Sequence, residues 1–198
     1  MMQVRMARSH TFMDSIVPST PRAATWVQDV FLAAAGSVFI AICAKIRIGG
    51  PVPFTMQTWA VLVVAAALGS RRGTLAVIAY LCEGAAGLPV FAGPVAGPAY
   101  LLGPTGGFLI GFLPAAIVVG LLAERRWDRR LGPALIAMAA GDAIILMCGV
   151  AWLTLSAGRG HALEIGLRPF WMVELLKVLL AAVALPGAWR IAGRAADH

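Results

Sequence analysis

The sequence is poor in charged residues, which make up only 13% of its 198 positions, whereas 60% of the residues are hydrophobic. The mean hydropathy is +0.85. A water-soluble domain needs more polar surface than this composition supplies, so soluble globular folds are excluded. The apolar runs are therefore expected to face lipid.

Cysteine is also scarce, and Cys43, Cys82 and Cys148 lie singly inside apolar stretches. Their spacing matches no metal-binding motif and gives no reason to expect a disulfide. The three histidines are dispersed, and no phosphate-binding G-x-x-x-x-G-K-[ST] motif is present. The sequence therefore predicts no metal, no cofactor and no ATPase site of its own.

Basic residues outnumber acidic residues by sixteen to nine, but they form short clusters between the apolar runs. Membrane topology explains this distribution better than nucleic-acid binding does. With the N-terminus in the cytoplasm, eleven arginines fall on the inner side. The outer side then receives only Lys45, Arg47, Arg159 and Arg168. This asymmetry agrees with the positive-inside rule.

The hydrophobic runs predict the architecture. Apolar segments occupy residues 27–46, 54–69, 73–88, 101–123, 133–156 and 170–189. Four of them approach or exceed the roughly 20 residues that cross a bilayer as a helix, whereas the second and third are shorter. Irregular backbone beside short membrane helices is stable only where it lines a cavity or is covered by protein.

The predicted fold is an all-α integral membrane protein with six transmembrane helices and both termini in the cytoplasm. Residues 1–26 are expected to form a cytoplasmic lead-in without a cleavable signal peptide, because they contain no continuous apolar run. Residues 27–190 form the membrane domain, and residues 191–198 form a cytoplasmic tail. The outward loops 47–53 and 89–100 are rich in proline and glycine. They are either tight turns or a compact lid over a pocket in the outer half.

Four ionisable residues interrupt the apolar segments: Glu83, Asp142, Glu174 and Lys177. Each costs roughly 2.5–3.5 kcal/mol at a helix centre, so each is expected to face a cavity or a partner. Glu174 and Lys177 share one helix face at a spacing of three residues. They could neutralise each other, or they could bind a small molecule that has donors at one end and an anion at the other. A helix–helix hydrogen bond explains Asp142 as well as a functional role does.

Further candidate residues are aromatic or small. Phe54, Tyr80 and Phe91 lie toward the outer ends of their segments, where they could belong to an interfacial belt or to a pocket wall. Ala33, Ser37 and Ala41 form a stripe of small residues along the first segment. Such a stripe allows close helix packing, either inside the protein or against another protein.

Several ordered stretches resemble the BioY family, the biotin-binding S components of energy-coupling-factor (ECF) vitamin transporters. The resemblance covers about residues 27–190. It is carried by "PVPFTMQ", "YLCEGAAGLPVFAG", "GPTGGFLIGF" and "PFWMVELLK". It implies a protein of the bacterial inner membrane that has six helices and an outer pocket capped by an outward loop.

The resemblance also implies partners. S components dock through their first helix to a transmembrane T component that carries two cytoplasmic ATPases, and Ala33, Ser37 and Ala41 match the docking surface. Whether the chain works alone, as a homo-oligomer or only with those ATPases is left open.

The site implied by the resemblance lies at the sixth segment. Glu174 would accept a hydrogen bond from a ureido N–H of biotin, at a position where aspartate is commoner in the family. Lys177 would meet the carboxylate or the ureido oxygen, with Arg47 as the alternative partner of the carboxylate. Residues 54–57 and 89–92 would close over the apolar body of the vitamin, and Gln57 would add a polar contact.

A hypothesis of another class stands beside this one. Glu83, Asp142 and Glu174 could form a proton relay in an ion-coupled carrier or an intramembrane enzyme.

Overall fold

Helices form nearly all the regular structure, because a chain in lipid must satisfy its backbone hydrogen bonds internally. The computed structural model describes residues 11–16, 25–48, 54–93, 96–158, 162, 164 and 171–196. The helices are α1 (Phe12–Ile16), α2 (Thr25–Lys45), α3 (Gln57–Ala85), α4 (Pro98–Leu101), α5 (Gly106–Glu124), α6 (Leu131–Ala157) and α7 (Trp171–Ala196). A two-stranded antiparallel ribbon pairs β1 (Arg47–Ile48) with β2 (Phe54–Thr55), and a 3-10 turn covers Trp127–Arg129.

Five of the described helices, α2, α3, α5, α6 and α7, are long and apolar enough to cross a membrane. Large hydrophobic side chains stay exposed on their outer surfaces, among them Phe31, Leu155 and Met172. A bundle that is apolar on its outside as well as in its core is what a lipid environment requires.

The long helix α3 is a helical hairpin. Gly69 adopts φ 82° and ψ 176°, which only glycine tolerates without strain, and the chain reverses there. A Cβ placed on Gly73 would lie 2.8 Å from Cα of Ala65, so the two arms are in backbone contact. The amide of Gln57 donates to the hydroxyl of Tyr80 at 2.8 Å, although 23 residues separate them. In a straight helix that separation would span roughly 35 Å.

The predicted segments correspond closely to these helices. Segments 54–69 and 73–88 become the two arms of α3, and the other four become α2, α5, α6 and α7. Among the described residues of the lead-in predicted for residues 1–26, Phe12–Ile16 form the short helix α1, which packs on the bundle. Loop 47–53 and loop 157–169 lie largely outside the described residues.

Arginine-rich segments gather at one end of the bundle. There, Arg72 of α3 bonds both Asp14 of α1 and Asp29 of α2 at 2.6 Å. Phe12 of α1 packs edge-on against Trp189 of α7, with ring centroids 5.3 Å apart. The β-ribbon, α4 and the start of α5 lie at the opposite end.

Candidate ligand-binding cleft

A cleft opens at the end of the bundle that carries the β-ribbon. It encloses about 500 Å³ of empty space, part of it open to solvent. Its lining consists of Thr55, Gln57, Thr58, Ala92, Tyr100, Thr105, Phe108, Leu109, Phe112, Asp142, Ile145, Leu146, Glu174 and Lys177.

The charged wall of the cleft comes from α7. Lys177 Nζ donates to Glu174 Oε1 at 2.6 Å, and the two residues are only 3% and 4% exposed. The predicted ion pair therefore forms, and both of its members also line the cleft. The second oxygen of Glu174, Oε2, has no hydrogen-bond donor among the described residues. A buried pair of this kind gains little over apolar residues, so an unsatisfied oxygen facing a cleft favours a ligand-binding role.

Asp142 of α6 faces the same wall. It is 7% exposed, and its Oδ1 also lacks a donor among the described residues. It lines the cleft together with Glu174 and Lys177. Three ionisable side chains from two helices thus converge at one place.

Gln57 lines the cleft, and its side-chain amide is hydrogen-bonded to a residue outside the cleft lining. Its Nε2 donates to Tyr80 Oη at 2.8 Å, and Tyr80 Oη donates to the carbonyl of Val90 at 3.3 Å. Tyr80 itself is fully buried and does not belong to the cleft lining. Its hydroxyl instead fixes the orientation of the Gln57 amide.

Residues 88–93, which we call the cap segment, lie over the cleft and contribute Ala92 to its lining. Three side chains bind three successive carbonyl oxygens of this segment. Tyr80 donates to Val90, Lys45 donates to Phe91 at 2.8 Å, and Tyr100 donates to Ala92 at 3.1 Å. Burial raises the pKa of Tyr100, which keeps its hydroxyl protonated as a donor.

Phe91 anchors the cap segment in the protein core. Its ring is fully buried, stacks on Tyr100 with centroids 4.9 Å apart and meets Tyr80 edge-on at 5.5 Å. A Cβ placed on Gly84 would lie 2.0 Å from Cζ of Phe91, so α3 is notched where the ring enters. Phe91 therefore holds the cap segment in place and lies outside the cleft lining.

Two other residues that were predicted to contact the ligand, Glu83 and Phe54, lie outside the cleft lining. Glu83 accepts a hydrogen bond from Ser37 Oγ at 2.6 Å between α3 and α2, and it does not line the cleft. A relay through Glu83, Asp142 and Glu174 would therefore have to leave the cleft. Phe54 of β2 packs beside Leu153 and Ala162, outside the cleft lining.

The small-residue stripe of α2 faces mainly inward. Ala33 is 6% exposed, Ser37 is fully buried and Ala41 is half-buried against the core. Their predicted role in docking a partner stays a prediction, because their surroundings here are those of internal packing.

Several lining residues carried no distinctive signal in the sequence. Phe108 and Phe112 share a face of α5 at a spacing of four, and Thr55 and Thr58 flank the start of α3. The one available signal was the block "GPTGGFLIGF", which contains Thr105 and both phenylalanines.

Comparisons with known proteins find a family model and individual relatives that match this chain. The model of the BioY family matches residues 10–194. Biotin transporter BioY of Thermotoga maritima is 43% identical over 139 residues, which cover 68% of this chain and 79% of that protein. Biotin transporter BioY2 of Lactococcus lactis subsp. cremoris is 35% identical over 162 residues, 80% of this chain and 88% of that protein.

A solved structure matches the fold. The crystal structure of the S-component for biotin from an ECF-type ABC transporter superposes with a TM-score of 0.74 at 26% identity. The superposition covers 87% of this chain and 95% of that one. The chain belongs to the BioY family.

Proposed function

We propose that this protein captures biotin at the outer face of the bacterial cytoplasmic membrane, as the substrate-binding S component of an ECF transporter. The observation that carries the proposal is the buried Glu174–Lys177 pair in the wall of the cleft. Family membership and the biotin transporters among its relatives give the substrate.

The chemistry of biotin suits the lining. Its ureido ring offers two N–H donors and one oxygen acceptor, its bicyclic sulfur ring and side chain are apolar, and its tail ends in a carboxylate. Glu174 accepts a ureido N–H, while Lys177 binds either the ureido oxygen or the tail carboxylate. Phe108, Leu109 and Phe112 of α5 pack against the apolar body, and the Gln57 amide adds a polar contact.

The membrane arrangement follows from the positions of the charges. Counting the two arms of α3 separately, the chain crosses the bilayer six times, with the arginine-rich end and both termini in the cytoplasm. The cleft then opens outward, beneath the cap segment. Because the sequence carries no ATPase motif, transport depends on a T component and cytoplasmic ATPases. Ala33, Ser37 and Ala41 of α2 are the proposed docking positions.

Calorimetric titration of biotin into the purified, detergent-solubilised protein tests this proposal. Wild-type protein is expected to bind one biotin per chain without any ion gradient. Lys177→Met and Glu174→Gln each disrupt a desolvated charge pair, so each should weaken binding by about 2 kcal/mol or more, roughly 30-fold in Kd. Glu83→Gln serves as the matched control, because Glu83 lies outside the cleft and a glutamine oxygen still accepts from Ser37.

The outcomes separate the alternatives. Tight biotin binding that neither cleft variant weakens would make the pair structural and place the vitamin elsewhere. Failure of the folded wild-type protein to bind biotin would refute the substrate assignment and return attention to an ion-coupled carrier.

A further inference from the structure

The cap segment leaves the end of α3, and the chain then returns to the same place. The amide of Leu88, the first residue of the cap segment, donates to the carbonyl of Glu83 at 3.1 Å. The amide of Gly97, which precedes α4, donates to the carbonyl of Gly84 at 2.8 Å. Surface loops whose two ends lie close together are frequently functional. The cap segment therefore has a fixed base, and the bonds made by its outer part determine whether it stays closed.

The three hydrogen bonds to the carbonyls of the cap segment, which we call its tethers, differ in origin and in exposure. Tyr80 is fully buried and Tyr100 is half-buried, and they stand only 10 and 8 residues from the carbonyls that they bind. Lys45 is exposed, ends α2 and stands 46 residues from Phe91. An exposed ammonium exchanges a carbonyl for water at little cost, whereas a buried hydroxyl has no such replacement. The Lys45 bond is therefore the tether that opens most easily.

The Lys45 tether acts on the peptide group that carries Ala92. The carbonyl of Phe91 accepts from Lys45 Nζ at 2.8 Å and from the amide of Gly93 at 2.9 Å. Because a peptide group is planar, fixing this carbonyl also fixes the nitrogen of Ala92, the residue of the cap segment that lines the cleft. The hydrogen bond from the ammonium group is charge-assisted, which makes it the stronger of the two.

We propose that Lys45 is a positioning residue that holds the cap segment closed over bound biotin, so that opening of the Lys45 tether controls how fast biotin leaves the cleft. This inference rests on the proposed function and deepens it. Lys45 does not line the cleft, so it acts through Phe91 and Ala92 and not by touching the vitamin.

Exchange kinetics of tritium-labelled biotin on the purified protein in detergent test this role. Labelled biotin is bound and then chased with excess unlabelled biotin, and association is followed separately after mixing. Lys45→Met keeps the length of the side chain but removes its donor, so biotin should dissociate roughly three- to tenfold faster. The association rate constant should not decrease. Lys45→Arg retains a cationic donor and should restore slow dissociation, and Arg125→Gln, which removes an exposed cation at the opposite end, should keep the wild-type rates.

Hydrogen–deuterium exchange of the biotin-free protein gives a second measurement that needs no ligand. Peptides that cover residues 88–93 should exchange faster in Lys45→Met than in the wild-type protein, because the amide of Gly93 shares the carbonyl of Phe91 with Lys45. Peptides from α5 and α6 should exchange equally in both proteins. This comparison separates a loosened cap segment from general destabilisation.

Unchanged exchange at residues 88–93 in Lys45→Met would overturn the inference, and so would unchanged dissociation of biotin. If association became slower while dissociation stayed the same, Lys45 would act through its charge and not as a tether. Failure of every folded protein to bind biotin would refute the proposed function itself. The exchange data would still decide whether Lys45 holds the cap segment, so the two failures are distinguishable.

Discussion

Gly84 is the point at which the side chain of Phe91 enters the helical arm that follows the turn of α3. Any side chain at this position would occupy the space of the aromatic ring, because a Cβ there would lie 2.0 Å from Cζ of Phe91. The ring in turn fixes the cap segment over the cleft.

Gly84→Ala is therefore expected to displace Phe91 and loosen the cap segment. Overpacking of this kind costs about 1–3 kcal/mol in the free energy of unfolding. Thermal unfolding in detergent and biotin titration should both show the loss. Gly132→Ala is the matched control, since it is also a helical glycine but a Cβ there meets nothing within 4 Å. Equal stability and equal affinity for the two variants would contradict the proposed anchoring role.

Individual residues also show where sequence reasoning succeeds. The spacing of Glu174 and Lys177 puts both side chains on one helix face, which made a mutual ion pair one of two alternatives, and the structure contains that pair. Glu83 and Asp142 look alike in sequence, each a single acid in an apolar run. Glu83 bonds Ser37 of α2 whereas Asp142 lines the cleft, and only the rotation of the packed helices decides which acid enters it.

The short helix α1 is held against α3 by the Asp14–Arg72 ion pair and against α7 by the contact between Phe12 and Trp189. Asp14 receives hydrogen bonds from Arg72 and Thr11, and these outweigh its partial burial to lower the pKa of its carboxyl group. An acid whose pKa is lowered by folding stabilises the folded state above its ordinary pKa of 3.8, and this contribution is lost as the pH falls below that value.

Asp14→Asn should reduce the stability of the protein at neutral pH by no more than about 1 kcal/mol, because the ion pair is partly solvated. The difference in melting temperature between wild type and variant should shrink as the pH is lowered from 5 to 3. Ser15→Ala, which alters only an exposed hydroxyl on the same helix, should retain the wild-type pH profile. A difference that stays constant across this range would exclude Asp14 as the titrating group.

The helices differ in how well the sequence predicts them. The polar stretch "GSRRG" separates the two apolar runs of α3, and the non-helical residue of this helix, Gly69, begins that stretch. Helix α1 has only five residues, too few to be stable alone, so its helicity depends on docking against Arg72 and Trp189. Patterns within its own sequence could not predict it.

At the scale of the whole bundle, exposed arginines lie at both ends. Arg47 is exposed at the end that carries the cleft, and Arg125 is exposed at the arginine-rich end. From the positive-inside rule we expect Arg125 in the cytoplasm and Arg47 outside.

Membrane-impermeant maleimide labelling of intact cells tests this orientation. In a background that lacks Cys43, Cys82 and Cys148, Arg47→Cys should be labelled directly. Arg125→Cys should be labelled only after the membrane is permeabilised, when both variants should react equally. The reverse pattern would invert the topology and place the cleft on the cytoplasmic side.

The cleft itself could be predicted from the sequence only in part. The sequence predicts the charged wall formed by Glu174 and Lys177, because these two residues interrupt an apolar run. Its apolar floor comes from α5 and α6, whose phenylalanine, leucine and isoleucine residues are indistinguishable in sequence from those that face lipid. Which of these apolar residues line the cleft depends on how the helices pack together.

Lys45, Tyr80 and Tyr100 bind the cap segment through its peptide carbonyls. Every residue type carries a peptide carbonyl, so these three hydrogen bonds do not depend on which side chains stand at positions 90, 91 and 92. Substitutions in the cap segment therefore act on its packing, above all at Phe91, whose ring fills the space beside Gly84. Substitutions at Lys45, Tyr80 or Tyr100, which lie outside the cap segment, act on its tether.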